Sequence, residues 1–208
     1  MAVKIKICGI TSPEESKFLI KNQVDYMGIV LFYPKSKRNK SISEAREILK
    51  SLSSHVIKKV AVTVSPTMHQ VREIEELGFD YIQIHGTLSK ETYDEIQIPI
   101  LRAFNGNDLN LYEEYHNCPK IHGYIFDAAI PGGGKTFDWS ILSQFPRDDK
   151  LFILAGGLHA DNIVDAIKKV QPDVVDVSSG VEGTNGKDAL KIKEFVETIK
   201  KADKEKGK

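Results

Sequence analysis

The sequence predicts an α/β fold, a single-domain (β/α)8 barrel of the TIM type, and two observations carry that prediction. Short apolar runs rich in β-branched residues alternate strictly with segments of helical period from one end of the chain to the other. Such alternation implies parallel strands joined by helical crossovers, because parallel neighbours need a long return path. The other observation is that polar or reactive groups stand where the first and last runs stop, in Lys6-Ile7-Cys8-Gly9-Ile10-Thr11 and in Asp176-Val177-Ser178-Ser179-Gly180-Val181-Glu182. A closed parallel barrel brings its first and last strands side by side and gathers chemistry at their carboxyl ends. A doubly wound open sheet shares the alternation, so this end-to-end relation is what favours the barrel.

The expected strands are Val3–Cys8, Tyr26–Leu31, Lys58–Val64, Tyr81–His85, Ile98–Phe104, His122–Asp127, Leu151–Ala155 and Val174–Ser178. Helical segments are expected at Glu14–Lys21, Glu44–Leu52, Met68–Glu76, Lys90–Glu95, Leu109–Tyr115, Trp139–Gln144, Asn162–Lys169 and Asp188–Lys200. Ser12-Pro13-Glu14-Glu15 sets an N-cap serine, a proline at the first helical position and a glutamate three residues on, the pattern of a capping box. Ser65-Pro66 repeats the cap-plus-proline pattern before the third helix. The loops are short and carry no linker-like composition, so residues 1–200 form one domain. Residues 201–208, charged and poor in apolar side chains, are expected to fray.

The bulk properties narrow the function classes. At 208 residues the chain is long enough for one good core, though short beside the ~250 typical of this architecture. Its 29 basic and 29 acidic residues cancel, which gives no field to attract nucleic acid or an anionic membrane. No apolar run is long enough to span a bilayer, and the lysines of the first strand are unlike a signal peptide. Cys8 and Cys118 do not make a disulfide framework, so the expected compartment is a reducing cytoplasm.

Cys8 is the first candidate for chemistry. A thiol of ordinary pKa ~8.5 needs help to act as a base, and the first helix begins a few residues beyond it, where its positive end lowers a thiol pKa. A free cysteine is more often a small buried hydrophobe; the strand-end position and the following Gly9 favour the functional reading. Asp127 closes an apolar strand at the expected rim, where burial raises a carboxyl pKa and makes a general acid, although a loop-capping role fits equally. Arg38, in Tyr33-Pro34-Lys35-Ser36-Lys37-Arg38, has the planar fork suited to a carboxylate; a solvated basic loop is the alternative.

Glycine turns at Ala155-Gly156-Gly157-Leu158 and Ser178-Ser179-Gly180 follow the seventh and eighth strands, where such barrels commonly bind phosphate through backbone N–H groups. Gly132-Gly133-Gly134-Lys135-Thr136 ends like a nucleotide-binding loop, but Ala129 stands where that motif needs a glycine. It is read instead as a flexible loop whose amides reach an anion. His116-x-Cys118-x3-His122 lacks a fourth ligand and zinc-like spacing, so no metal is expected.

Taken together, Lys6–Thr11, Phe32–Arg38, Gln83–Gly86, Gly132–Trp139, Ala155–Leu158 and Asp176–Glu182 resemble, in order and almost from end to end, the phosphoribosylanthranilate isomerases of tryptophan biosynthesis. The resemblance implies an Amadori rearrangement of N-(5-phosphoribosyl)anthranilate to 1-(2-carboxyphenylamino)-1-deoxyribulose 5-phosphate, without cofactor or metal. It implies Cys8 as general base, Asp127 as general acid and Arg38 as holder of the anthranilate carboxylate. It also implies a phosphate cradle from Gly132, Gly133, Gly134, Gly156, Gly157, Ser179 and Gly180. The expected partner is a small phosphosugar, with no nucleic acid and no membrane, and the chain itself is expected as a monomer or homodimer. Asp176 and Glu182 are expected to anchor structure. Two other readings stand beside this one. A non-catalytic phosphosugar-binding barrel has no use for both Cys8 and Asp127, and the sister isomerase of histidine biosynthesis is expected to use two aspartates where this chain has Cys8.

Overall fold

The computed structural model describes residues 2–52, 57–105, 109–127 and 138–206. Eight parallel strands close into a barrel: β1 Lys4–Cys8, β2 Tyr26–Leu31, β3 Lys58–Val64, β4 Tyr81–His85, β5 Ile100–Phe104, β6 Ile121–Phe126, β7 Leu151–Leu154 and β8 Val174–Val177. Closure is made by β1, which pairs in parallel with both β2 and β8. The register sets Lys6 opposite Asp176 on β8, and Cys8 opposite Gly28 on β2.

Among the described residues seven α-helices cover the barrel: α1 Pro13–Lys21, α2 Ile42–Lys50, α3 Met68–Glu76, α4 Lys90–Glu95, α5 Tyr112–His116, α6 Ile163–Val170 and α7 Ala189–Lys206. Between β6 and β7 the described helical segment, Trp139–Gln144, is a 3-10 helix rather than an α-helix. Pro146 accounts for its short run, since the residue before a proline avoids helical ψ, and Phe145 is extended with ψ 125°. α7 continues past Lys200 to Lys206, where the sequence suggested a frayed tail. The Asp203 carboxylate accepts a hydrogen bond from the Val3 N–H, tying this last helix to the start of the chain.

The caps differ from expectation in two places. α3 is capped by Thr67, with Gln70 closing a capping box, so Ser65-Pro66 stands outside the helix. Ser65 instead has φ +47° and its hydroxyl accepts from the Thr87 N–H. At α1 the Ser12 hydroxyl accepts from the Glu15 N–H as expected. The Glu15 carboxylate, however, reaches Thr11 and the Lys187 N–H at 2.7 Å, so it pins the loop after β1 to the chain beyond β8.

Two apolar layers hold these elements. Alternate residues of the strands point inward, where Tyr26, Val30, Val60, Val62, Leu101, Ile125, Ile153 and Val174 fill the barrel. The other set faces the helices, with Ile7, Met27, Ile29, Ile84, Phe104, Phe126 and Val175 in one continuous core. Phe126 is fully buried there, with ring centroids 4.5 Å from Phe152 and 4.9 Å from Phe145. Deleting such a ring costs the transfer free energy plus a cavity, about 3–5 kcal/mol for Phe126→Ala. Leu190, 77 % exposed on α7, gives the contrast, and its replacement by alanine is expected to change stability by no more than about 0.5 kcal/mol. Urea unfolding followed by circular dichroism measures both, and similar costs at the two positions contradict this placement of the core.

Candidate active site

The carboxyl ends of the strands enclose a cavity of roughly 580 Å³. Cys8 from β1, Gln83 and His85 from β4, Asn105 after β5 and Asp127 after β6 all line it. So do Gly156 and Gly157 after β7, Asp176 and Ser178 at the end of β8, and the Lys35–Arg38 loop after β2. Cys8, Asp127, Arg38, Gly156, Gly157 and Ser179 are therefore brought into one space from five separate places in the chain. Gly132, Gly133 and Gly134 lie outside the described residues.

Each group is positioned by backbone geometry. The N–H groups of Gly9 and Ile10 both donate to the Gly28 carbonyl, turning the chain sharply after Cys8. Gly9 has φ +80°, and a Cβ there would lie 2.3 Å from the Arg38 side chain, so glycine is what lets Arg38 cross this loop. The Asp127 N–H is fixed to the Phe104 carbonyl at 2.8 Å. Gly156 and Gly157 take φ +86° and +64°, and the Asn162 side chain bridges this turn by donating to Gly157 and accepting from His159. A Cβ on Gly180 would meet the Leu158 carbonyl oxygen at 2.0 Å, so the two glycine turns after β7 and β8 are in direct contact.

Arg38 is not a loose cation. Its Nε and Nη2 donate to the two oxygens of Glu182 at 2.5 and 3.0 Å, a bidentate pair. Glu182 also accepts from Lys187 at 2.8 Å and lies 3.1 Å from Lys37. Burial pushes the Glu182 carboxyl up, but the hydrogen bonds from Arg38, Lys187 and Lys37 outweigh it and hold the pKa down at about 2. Lys187 in turn donates to Ser178, whose hydroxyl donates to the Cys8 carbonyl. Glu182 opens an antiparallel ribbon, Glu182–Gly183 with Gly186–Lys187, and this ribbon is what presents it to Arg38.

Beneath the thiol lies a buried ion pair, Lys6 Nζ to Asp176 Oδ2 at 2.8 Å. The Cys8 thiol is pushed up by burial, an effect that Asp176 reinforces and that Lys6, Lys187 and Arg38 oppose. The cations that favour the thiolate therefore come from the barrel interior and the rim, where the sequence pointed to the helix end. His85 is pulled down to about 4, by burial first and then by Lys6 and Arg102, so it is neutral at neutral pH. The sequence reading missed Lys6, Lys187 and the pairing role of Glu182. The two-residue alternation, which puts Lys6 on the same face of the strand as Cys8, was the available signal.

Cys118 and the two histidines near it stand apart from this cavity. The Cys118 thiol donates to the Glu114 carbonyl, the His116 ring meets the Tyr112 hydroxyl, and the exposed His122 packs on Tyr81. Among the described residues no group of three His, Cys, Asp or Glu side chains is disposed to hold a metal ion. No described helix is long and apolar enough to cross a membrane.

Comparison with known proteins gives this rim a family. The family model for N-(5'-phosphoribosyl)anthranilate (PRA) isomerase matches residues 5–198. The chain belongs to the phosphoribosylanthranilate isomerase family. Within that family, the N-(5'-phosphoribosyl)anthranilate isomerase of Streptococcus mutans is 37 % identical over 200 residues, covering 95 % of this chain and 99 % of its own. A solved structure of monomers of the dimeric phosphoribosylanthranilate isomerase from Thermotoga maritima superposes with a TM-score of 0.79 at 33 % identity, over 96 % of this chain and 99 % of that one. A phosphoribosylanthranilate isomerase in complex with reduced 1-(o-carboxyphenylamino)-1-deoxyribulose 5-phosphate also superposes at 0.79, with 31 % identity and the same coverage.

Glu182 yields a pH test within this isomerase fold. Its folded pKa of about 2 lies below the ~4.3 of an unfolded glutamate, so it contributes stability above the unfolded value and loses it as pH falls through the folded one. Urea unfolding is expected to find wild type more stable than Glu182→Gln above about pH 5, with the difference shrinking steadily as acid is added. A difference independent of pH contradicts the assignment of the low pKa to Glu182.

Proposed function

We propose that this chain isomerises N-(5'-phosphoribosyl)anthranilate by general acid and base catalysis at the barrel rim. The observation that carries the reading is the single cavity into which Cys8, Asp127, Arg38 and the glycine turns after β7 and β8 all open. Asp127 is the acid: it protonates the ribose ring oxygen, and the ring opens to a protonated imine. Cys8 is the base: its thiolate removes the C2′ proton, giving an enolamine that tautomerises to the ketone. In that last step C1′ takes a proton, which the Cys8 thiol returns, and the C2′ hydroxyl loses one, which the Asp127 carboxylate accepts, so both side chains regain their starting forms with no net electron transfer to or from the substrate.

The anchors follow from the electrostatics. Glu182 occupies the Nε/Nη2 edge of Arg38, so an anthranilate carboxylate is received on the remaining Nη1/Nη2 edge, with Lys35 and Ser36 in the same wall. The phosphate lies against the backbone of Gly156-Gly157 and Ser179-Gly180, to which Gly132–Gly134 would add a third loop. Fixing both charged ends holds the sugar between acid and base, which is where orientation contributes to rate. Every residue in this assignment comes from one chain, so the chemistry needs no second copy, whether the protein is a monomer or a homodimer. A soluble anionic substrate and a free thiol both suit the cytoplasm. A non-catalytic binding barrel would bind the same phosphosugar with no turnover.

The test is turnover of N-(5'-phosphoribosyl)anthranilate by the purified protein, followed by loss of substrate fluorescence without added nucleotide or metal. Wild type is expected to consume it, while Cys8→Ala and Asp127→Asn each lose about 10²–10⁴-fold in kcat. Arg38→Ala is expected to act mainly on KM, because it removes binding rather than a proton-transfer group. A folded wild type that binds without turnover selects the binding barrel. Turnover of the histidine-pathway aminoaldose phosphate in preference assigns the chain to the sister reaction.

A further inference from the structure

A fully buried lysine inside a barrel needs an explanation, and the geometry around Lys6 supplies one. Lys6 points inward from β1, two residues before Cys8, and is 0 % exposed. Its register partner on β8 is Asp176, whose Oδ2 accepts from Nζ at 2.8 Å. The other carboxylate oxygen, Oδ1, is buried and has no hydrogen-bond partner among the described residues, so Asp176 depends on Lys6 for compensation. Lys6 and the Cys8 sulfur also lie close enough to act on each other electrostatically. Space for that contact is made by Gly28 on β2: a Cβ there would sit 3.0 Å from Cys8 Sγ and 3.2 Å from Lys6 Nζ. Thiol and ammonium thus share the room left by a missing side chain.

We propose that Lys6 is a positioning residue for Cys8, its ammonium oriented by Asp176 so that it holds the ionised sulfur, while Asp176 opposes that ionisation. The proposal rests on the reading of Cys8 as the base and concerns how a buried thiol is made available as thiolate. Asp176 and the Cys8 sulfur outweigh burial in keeping Lys6 charged. Other charged groups bear on the sulfur too: Arg38 and Lys187 face it, with Glu182 behind them, and Lys35, Lys37 and Asp127 line the same cavity. His85, on the far wall and pulled down to about 4, stays neutral through the range of interest.

The two members of the pair then act on the thiol with opposite signs. Lys6→Met removes the cation, and the thiol should titrate higher. Asp176→Asn keeps the cation and removes the competing anion, and the thiol should titrate lower. General loosening of the floor would move both variants in the same direction, since each would simply admit water.

The measurement is the Cys8 titration itself, by ultraviolet thiolate absorbance and by the pH dependence of alkylation, in a Cys118→Ser background so that one thiol reports. The expected result is about tenfold less thiolate at a given pH in Lys6→Met and about tenfold more in Asp176→Asn, a shift of about one pH unit either way. Shifts of the same sign in both, or none, overturn the proposal. If Lys6→Met does not fold, Asp176→Asn decides alone: a lowered titration supports the proposal, and an unchanged or raised one overturns it. The pH profile of kcat/KM separates this from the assignment of Cys8 as base. A thiol that shifts in Asp176→Asn while the acidic limb of the profile stays in place supports the role of Lys6 and removes Cys8 from the base position.

Discussion

The pairing of β1 with β8 is the constraint on which the rest of the molecule depends. These strands lie at opposite ends of the sequence, and their parallel ladder, from Lys4 opposite Val174 to Ile7 opposite Val177, closes the sheet. Closure abolishes the edges that an open sheet would have to protect. It also fixes one chemical consequence. With a side-chain period of two, the register that sends Ile5, Ile7, Val175 and Val177 to the helix layer must send Lys6, Cys8 and Asp176 inward. A slip of one residue would bury Ile7 against the cavity and turn the thiol towards the helices. The site exists because the barrel closes in this register.

A second closure lies above the first, made of charge rather than backbone. Glu182 gathers Arg38 from the loop after β2 and Lys187 from its own ribbon, while Glu15 from α1 accepts from Lys187 and from Thr11. Three loops that border Cys8 are thereby held to one another. Partly buried, multiply hydrogen-bonded carboxylates of this kind hold geometry far better than exposed pairs such as Lys193 with Glu197, where solvent and side-chain entropy cancel most of the attraction. The Arg38 guanidinium is thus oriented in advance, which reduces what a bound carboxylate must spend on ordering it.

Most of the architecture was legible in the sequence because it rests on short-range rules. Alternating runs placed all eight strands, and the strand-end glycines marked turns that the φ values at Gly156 and Gly157 bear out. Cys8, Asp127 and Arg38 were legible as candidates because each combines a reactive side chain with a strand end or loop, and the cavity brings all three together. What could not be read were relations between distant residues. Glu15 looked like the third position of a capping box, and nothing local says that the Lys187 N–H, 172 positions on, would come close enough to take its carboxylate away. Likewise Lys6 stood out only as one of two lysines in the alternating first strand. Its partner lies 170 positions away and is defined only by closure.

The distribution of polarity inside the barrel separates two tasks. Tyr26, Val60, Leu101, Ile125, Ile153 and Val174 pack the interior as an ordinary apolar core. Towards the carboxyl ends the inward positions turn polar, with Lys6, Gln83, Asp176 and Cys8 in place of branched aliphatics. Stability does not explain that change. Burying an ion pair such as Lys6 with Asp176 costs several kcal/mol per ion in desolvation, and apolar side chains of similar volume commonly serve a core as well or better. Asp176 even keeps a buried oxygen that is unpartnered among the described residues, a further cost that a packing role would not require. These charges sit next to the thiol. The amino half of the barrel interior holds the fold together, and the carboxyl half gives up part of that stability to keep a charged environment around Cys8.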